Sequence, residues 1–169
     1  KYTESKFYRV SGSSTQNLGV EPDINLPTLF NIDELGESSL DRALDHDSIP
    51  GTTVKNFNRV SNFKDTLRKL SLDRVEESPL FKSIKARKQW QSENKSEFLD
   101  LNLDKRIEQK NSIEKFLLAN ENNLRGSLNL PTYESYKDFM DREDDPESLD
   151  IESEILGEAA NILLSLIHI

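Results

Sequence analysis

Lys6-Phe7-Tyr8-Arg9-Val10-Ser11-Gly12-Ser13-Ser14-Thr15-Gln16, followed shortly by Gly19-Val20-Glu21-Pro22-Asp23-Ile24, is the stretch whose reading decides the rest of the chain. Phe7, Tyr8 and Val10 are strand formers, and Ser11-Gly12-Ser13-Ser14 is a turn cluster. Leu18, Val20, Ile24 and Leu26 supply apolar positions, with Gly19 and Pro22 as breaks. Residues 5–10 and 18–26 therefore read as two strands of a hairpin-like pair. Such a pair is marginal in water unless it docks on a sheet, and the remaining sequence does not read as one. The pair is thus expected to be the closing rim of a larger sheet-bearing domain, whose front half would lie upstream of Lys1. The start on Lys rather than Met fits a fragment.

Beyond this rim the pattern changes. Residues 27–60 read as a connector punctuated by Pro27, Gly36, Pro50 and Gly51, with single helical turns starting at Asp33 or Ser39. From about Asn62 the spacing turns helical, with Phe63, Leu67 and Leu70 at i, i+4, i+7. Ser78-Pro79 is an N-cap followed by proline at the first helical position. It opens a helix to about Glu93, with Leu80, Phe81, Ile84 and Lys88 along one side. Leu99, Leu101 and Leu103 alternate with Asp100 and Asn102, as in a short strand or an extended entry to the next helix. That helix is expected over 105–124, capped by Asp104, striped by Ile113, Phe116, Leu117 and Leu124, and ended by Gly126. Pro131 starts a short segment with Tyr133, Tyr136, Phe139 and Met140 at helical spacing, and the acidic run Asp141–Asp150 reads as a loop. The last helix, about 151–168, has the widest apolar face: Ile151, Ile155, Leu156, Ala159, Ile162, Leu163, Leu166 and Ile167. Glu152 and Glu154 complement the dipole at its start. Burial of that face would contribute on the order of 10 kcal/mol before entropy, which makes it the expected centre of the helical half. No internal repeat is present.

The apolar fraction is 34% and the charged fraction 31%, which allows only a thin core with long wet helix faces. A net charge of −9 excludes a general nucleic-acid binder, because phosphate contacts need clustered Lys and Arg. The charge is uneven. Residues 61–125 hold 14 basic and 11 acidic side chains, and residues 126–169 hold 2 and 11. The absence of Cys removes disulfides, thiolate nucleophiles and Cys-ligated zinc. No run of ~18 apolar residues occurs, so no segment reads as membrane-spanning. No signal peptide is visible.

Chemistry-bearing constellations are sparse. Asp45-His46-Asp47 has metal-ligand residue types but lies in a polar connector, and the other histidine, His168, is far away in sequence. Glu76-Glu77 and Asp144-Asp145 are adjacent carboxylates without the burial that shifts a catalytic pKa. Gly51-Thr52-Thr53-Val54-Lys55 lacks the phosphate-loop spacing. No Ser/Lys pair sits in a nucleophile turn. Phe81 with Ile84, and Tyr133 with Tyr136 and Phe139, read as core stripes or as a partner groove. Trp90 beside Lys82, Lys85, Arg87 and Lys88 reads as a surface tryptophan or an anchor for an acidic partner. No catalytic, cofactor-binding or metal-binding residue is assigned.

The run Lys-Phe-Tyr-Arg-Val (6–10), Ser-Gly-Ser-Ser-Thr-Gln (11–16) and Gly-Val-Glu-Pro-Asp-Ile (19–24) closely resembles the end of the protease domain in bacterial tail-specific proteases, also called carboxy-terminal processing peptidases. Ile32 to Leu44 resembles the connector of the long branch of that family. Arg74-Val75, Ser78-Pro79-Leu80-Phe81, Asn94-Lys95 and Leu99-Asp100-Leu101-Asn102 resemble its C-terminal helical domain. Glu158-Ala-Ala-Asn-Ile-Leu-Leu resembles that domain's closing helix. The resemblance implies a periplasmic parent with a serine nucleophile, a lysine general base and a PDZ domain for apolar C-termini of protein substrates. It also implies a helical-repeat lipoprotein as adaptor for some members. The family's catalytic motifs precede the Phe-Tyr-Arg strand, so none is carried onto this chain.

The expected fold class is mainly α (α+β): a C-terminal helical domain with a short β segment left over from the protease domain. The expected division is 1–26 for the last protease strands, 27–60 for a connector and 61–169 for the helical domain. The expected role is architectural, without peptidase activity, cofactor or nucleic acid. Read without the resemblance, the same residues make a free-standing helical interaction module, or an adaptor presenting substrates through the aromatics of 133–140.

Overall fold

The structure, a computed structural model, describes residues 6–30, 35–53, 55, 59–96, 98–141 and 151–168. Five helices dominate it: α1 (Lys64–Glu77), α2 (Pro79–Glu93), α3 (Leu103–Ser127), α4 (Tyr136–Met140) and α5 (Ile151–His168). The chain is mainly α, as its periodicity predicts. It divides into two compact units. One comprises Lys1–Asn25 with Phe30–Thr66, the other Leu26–Leu29 with Leu67–Ile169.

In the first unit the expected hairpin is not formed. Among the described residues, β structure is limited to two isolated antiparallel bridges, Tyr8↔Ser14 and Ser13↔Ser48. Residues 18–26 make no bridge, and Leu18 and Val20 face solvent. Strand propensity is realised only where a partner backbone is available. Here the partner is part of the stretch read as a connector. Ser14 N–H donates to the Asp47 carbonyl (3.0 Å), Ile49 N–H to Gly12 (2.8 Å), and Thr52 N–H to Val10 (2.9 Å). The tight bend is closed by Arg9 N–H to the Ser13 carbonyl at 2.9 Å and Gly12 N–H to the Arg9 carbonyl at 2.8 Å. A 3-10 turn occurs at Glu37–Ser39, so Ser39 ends a turn instead of starting one; Asp33 lies outside the described residues.

Two glycines permit this approach. Gly12 has φ +85°, and a Cβ there would overlap the Ile49 carbonyl oxygen. A Cβ on Gly51 would lie 2.7 Å from the Ser11 carbonyl oxygen. Left-handed backbone costs a non-glycine residue roughly 1–2 kcal/mol, and the clash adds to it. Gly12→Ala is therefore expected to destabilise this unit by about 2 kcal/mol or more. Faster hydrogen exchange of the Ile49 and Thr52 amides reads the effect. Unchanged exchange would show that the backbone approach is not needed.

α1 follows a 3-10 turn at Ser61–Phe63, and from Leu67 onward it belongs to the second unit, burying Leu67, Ser71 and Val75 at i, i+4, i+8. The expected Phe63/Leu67/Leu70 stripe is thus rotated, and Leu70 is exposed. The start of α2 is as read from the sequence. Ser78 Oγ accepts from Phe81 N–H at 3.4 Å with Pro79 at N1, and Leu80, Phe81 and Ile84 are buried. Residues 98–102 are an extended entry to α3 rather than a strand, with Leu99 and Leu101 in solvent. The cap of α3 is Asn102, not Asp104: Asn102 Oδ1 accepts from Lys105 N–H at 3.2 Å. Asp100 supports this turn, accepting from Asn102 N–H (2.9 Å) and Lys105 Nζ (2.8 Å).

The far end of α3 also differs from expectation. The helix runs past Gly126, and the left-handed residue that ends it is Asn129, φ 56°. Leu130 N–H reaches the Arg125 carbonyl (2.9 Å) and Asn129 N–H the Gly126 carbonyl (3.2 Å), a Schellman closure with Asn at C′. α4 is held by a Ser135/Asp138 capping box. The expected loop over 141–150 lies, beyond Asp141, outside the described residues.

Val75, Leu80, Phe81, Ile84 and Leu124 form the core cluster, with Leu26, Leu29, Ile151 and Ile155 packed partly buried against it. α2 and α3 are therefore the centre of the unit, and α5 is not. The only buried residue of α5 among those described is Glu158, while Leu156, Leu163, Leu164 and Ile167 are exposed. Its apolar residues wrap two opposite faces, and only the side of Ile151 and Ile155 meets the core.

Candidate functional site

Each constellation singled out in the sequence has a definite surrounding. His46 Nε2 lies 2.9 Å from Ser13 Oγ, the spacing of a nucleophile and its base. The backbone amides around Ser13 that could hold an oxyanion are already committed: Gly12 N–H to Arg9 and Ser14 N–H to Asp47. The pair joins residues 10–14 to residues 46–52. Asp47 is engaged by Lys6 Nζ (3.1 Å) and by Tyr8 OH (3.0 Å). The Lys6 hydrogen bond, aided by that of Tyr8, holds the Asp47 carboxyl below its usual range against a smaller desolvation effect, and Asp47 in turn raises Tyr8. Among the described residues, no group of three or more His, Asp or Glu is placed to hold a metal ion.

Gly51 and Thr52 serve backbone pairing rather than an anion cradle. Glu76 and Glu77 are exposed on the last turn of α1, and Asp144-Asp145 lies outside the described residues. Phe81 and Ile84 are each 1% exposed and belong to the core, not to a groove. Trp90 stacks on Phe116, rings 4.6 Å apart at 11°, so it joins α2 to α3 instead of projecting toward a partner. Tyr133, Tyr136 and Phe139 form a tilted aromatic cluster. Phe139 is buried, and Tyr133 lies under Arg125, whose guanidinium is 4.5 Å from the ring centre. The basic side chains Lys82, Lys85 and Lys88 are exposed on α2.

The sequence reading missed a polar latch. Arg74 of α1 forks onto Glu158 of α5, Nε to Oε2 at 2.9 Å and Nη2 to Oε1 at 2.8 Å, and Nη1 donates to Ser165 Oγ at 3.4 Å. Ser78 Oγ donates to Glu154 at 2.7 Å while capping α2. Burial pushes the Glu158 carboxyl up, but the Arg74 fork together with Ser71 and Asn161 outweighs it and holds the group below its ordinary range. Glu158 raises Arg74 correspondingly. One signal was available in the sequence: Glu158 is the acidic residue beyond the first turn of the most apolar helix, where the dipole no longer accounts for it. A cleft of about 160 Å³ beside this latch is lined by Arg74, Ser78, Glu154 and Asn161. The hydroxyl that meets a carboxylate there, Ser78 Oγ on Glu154, is already engaged as the cap of α2. The latch fixes one helix to another.

Residues 30–168 match the family model described as the C-terminal domain of tail specific protease. The chain belongs to this family. It is also similar to the tail-specific protease of Haemophilus influenzae, 38% identical over 106 residues. That match covers 60% of this chain and 15% of the relative, so the matched region is a small part of the relative's length. No helix among the described residues is long and apolar enough to cross a membrane.

Proposed function

We propose that this chain is the non-catalytic C-terminal region of a periplasmic serine endopeptidase that processes or degrades envelope proteins from their C-terminal tails. The observation that carries the reading is the family match over residues 30–168. In this reading the serine nucleophile, its lysine base and a PDZ domain for apolar C-termini belong to the parent polypeptide. The helical unit supports the protease body and walls the substrate chamber, and a helical-repeat lipoprotein serves as adaptor.

Incubating the purified chain with an unfolded protein bearing an apolar C-terminal tail is expected to leave that protein intact. Cleavage that persists through repurification would overturn the inactivity. Sequencing the coding region upstream supplies the complementary check. An in-frame PDZ plus Ser/Lys region supports the reading, and a start codon at Lys1 removes it.

A further inference from the structure

α5 is apolar on two opposite sides, and only the side of Ile151 and Ile155 meets the core. Its inward side carries Glu154, Glu158 and Ser165, bonded to Ser78 and Arg74. Its outward side carries Leu156, Ala160, Leu163, Leu164 and Ile167, which fall within about 100° of one another at 3.6 residues per turn. Leu156 is 72% exposed, Leu163 62% and Ile167 76%. A carboxylate turned in and four large aliphatics turned out reverse the usual partition between water and interior. That is the pattern of a helix covered on both sides.

The chemistry of the stripe separates three occupants. α5 contains no Lys or Arg and carries three glutamates, so it lacks the cations that hold an amphipathic helix on anionic lipid. The stripe is about 17 Å long and one helix wide, far below the ~800 Å² per partner of a stable complex between separate molecules. A tethered surface needs much less, because a short linker supplies an effective concentration of roughly millimolar. The matched region is 15% of the Haemophilus influenzae relative, so most of that relative's polypeptide lies outside it and is available as such a surface. We propose that the outward stripe of α5 docks, within one polypeptide, on an apolar surface of the protease body, making α5 a wall shared by the helical unit and the protease. This rests on the reading given under Proposed function.

The chain has no cysteine, so Leu163→Cys introduces a single thiol at an exposed position that the fold does not need. In the 169-residue chain the introduced thiol is expected to react with a maleimide at nearly the rate of a free thiol. In the full-length protease, peptide-resolved labelling is expected to be at least ~10-fold slower, and Ile167→Cys should behave alike. Equal rates in a full-length protein that cleaves a tailed substrate overturn the docking and leave the functional reading intact. A concentration-dependent dimer of the chain that Leu163→Asp abolishes overturns it in favour of a second copy. Flotation with phosphatidylglycerol vesicles overturns it in favour of lipid. A full-length protein without peptidase activity removes the functional reading itself.

Discussion

Phe81→Ala is expected to lower the stability of the helical unit by about 3–5 kcal/mol, the range for emptying a buried phenylalanine site. Phe81 is 1% exposed and shares the cluster with Val75, Ile84 and Leu124. It contacts the core from the first turn of α2, whose cap is Ser78. Loss of the ring therefore leaves a cavity between helices that cannot collapse without moving the cap. With a net stability of roughly 5–15 kcal/mol for an ordinary domain, the variant approaches the unfolding threshold. Urea melts of the chain read the loss. Leu163→Ala on the outward side of α5 serves as the contrast, and its change should stay within about 0.5 kcal/mol. Equal losses at the two positions would mean that the core has been misplaced.

Arg74→Ala is expected to cost about 3 kcal/mol, and Glu158→Gln less, about 1–2 kcal/mol, because breaking a buried pair penalises whichever charge is left without water. The side chain of Glu158 is 5% exposed and that of Arg74 is 31% exposed. An orphaned Arg74 can turn to solvent; an orphaned Glu158 cannot. The pH dependence separates the two variants further. In the intact protein the folded pKa of Glu158 lies below its ordinary value of 4.5. The latch is therefore fully stabilising above that value and is lost as pH falls through the lowered folded pKa. In Arg74→Ala the largest opposing influence on Glu158 is gone and burial weighs more heavily, so its pKa rises from the wild-type position and protonation relieves part of the cost. The gap between wild type and Arg74→Ala should narrow in acid. A gap that stays constant from neutral pH down to about pH 3 would exclude the ion pair as the origin of the loss.

What the sequence made legible was local. Ser78-Pro79 marks the start of α2 because cap and proline act within one turn, and the apolar spacing of Leu80, Phe81 and Ile84 names its buried side. Errors arose where neighbours compete for one role. Asn102 caps α3 and Asp104 falls inside it, since both are good caps two residues apart. Asn129 takes the left-handed position expected of Gly126, because Asn tolerates it as well. The strands failed for a different reason. Tyr8 and Val10 carry the right propensity, but pairing depends on residues 47–52, which have no strand signature of their own. The latch from Arg74 to Glu158 links residues 84 apart, and no local pattern announces such a contact. Apolar spacing located α5 but could not show which of its two apolar sides faces in. His46 was correctly placed in a polar segment, yet its partner Ser13 became visible only in three dimensions.

The pairing of residues 10–14 with 46–52 also sets an order of assembly. Ser13 and His46 are 33 residues apart, and closing a flexible ring of that length costs roughly 3 kcal/mol of chain entropy before any contact compensates. The α2–α3 hairpin, stacked through Trp90 and Phe116, has only residues 94–102 between its helices, and closing that connection costs roughly 2 kcal/mol by the same relation. The helical hairpin is therefore expected to form ahead of the N-terminal ring, since its contacts are the more local.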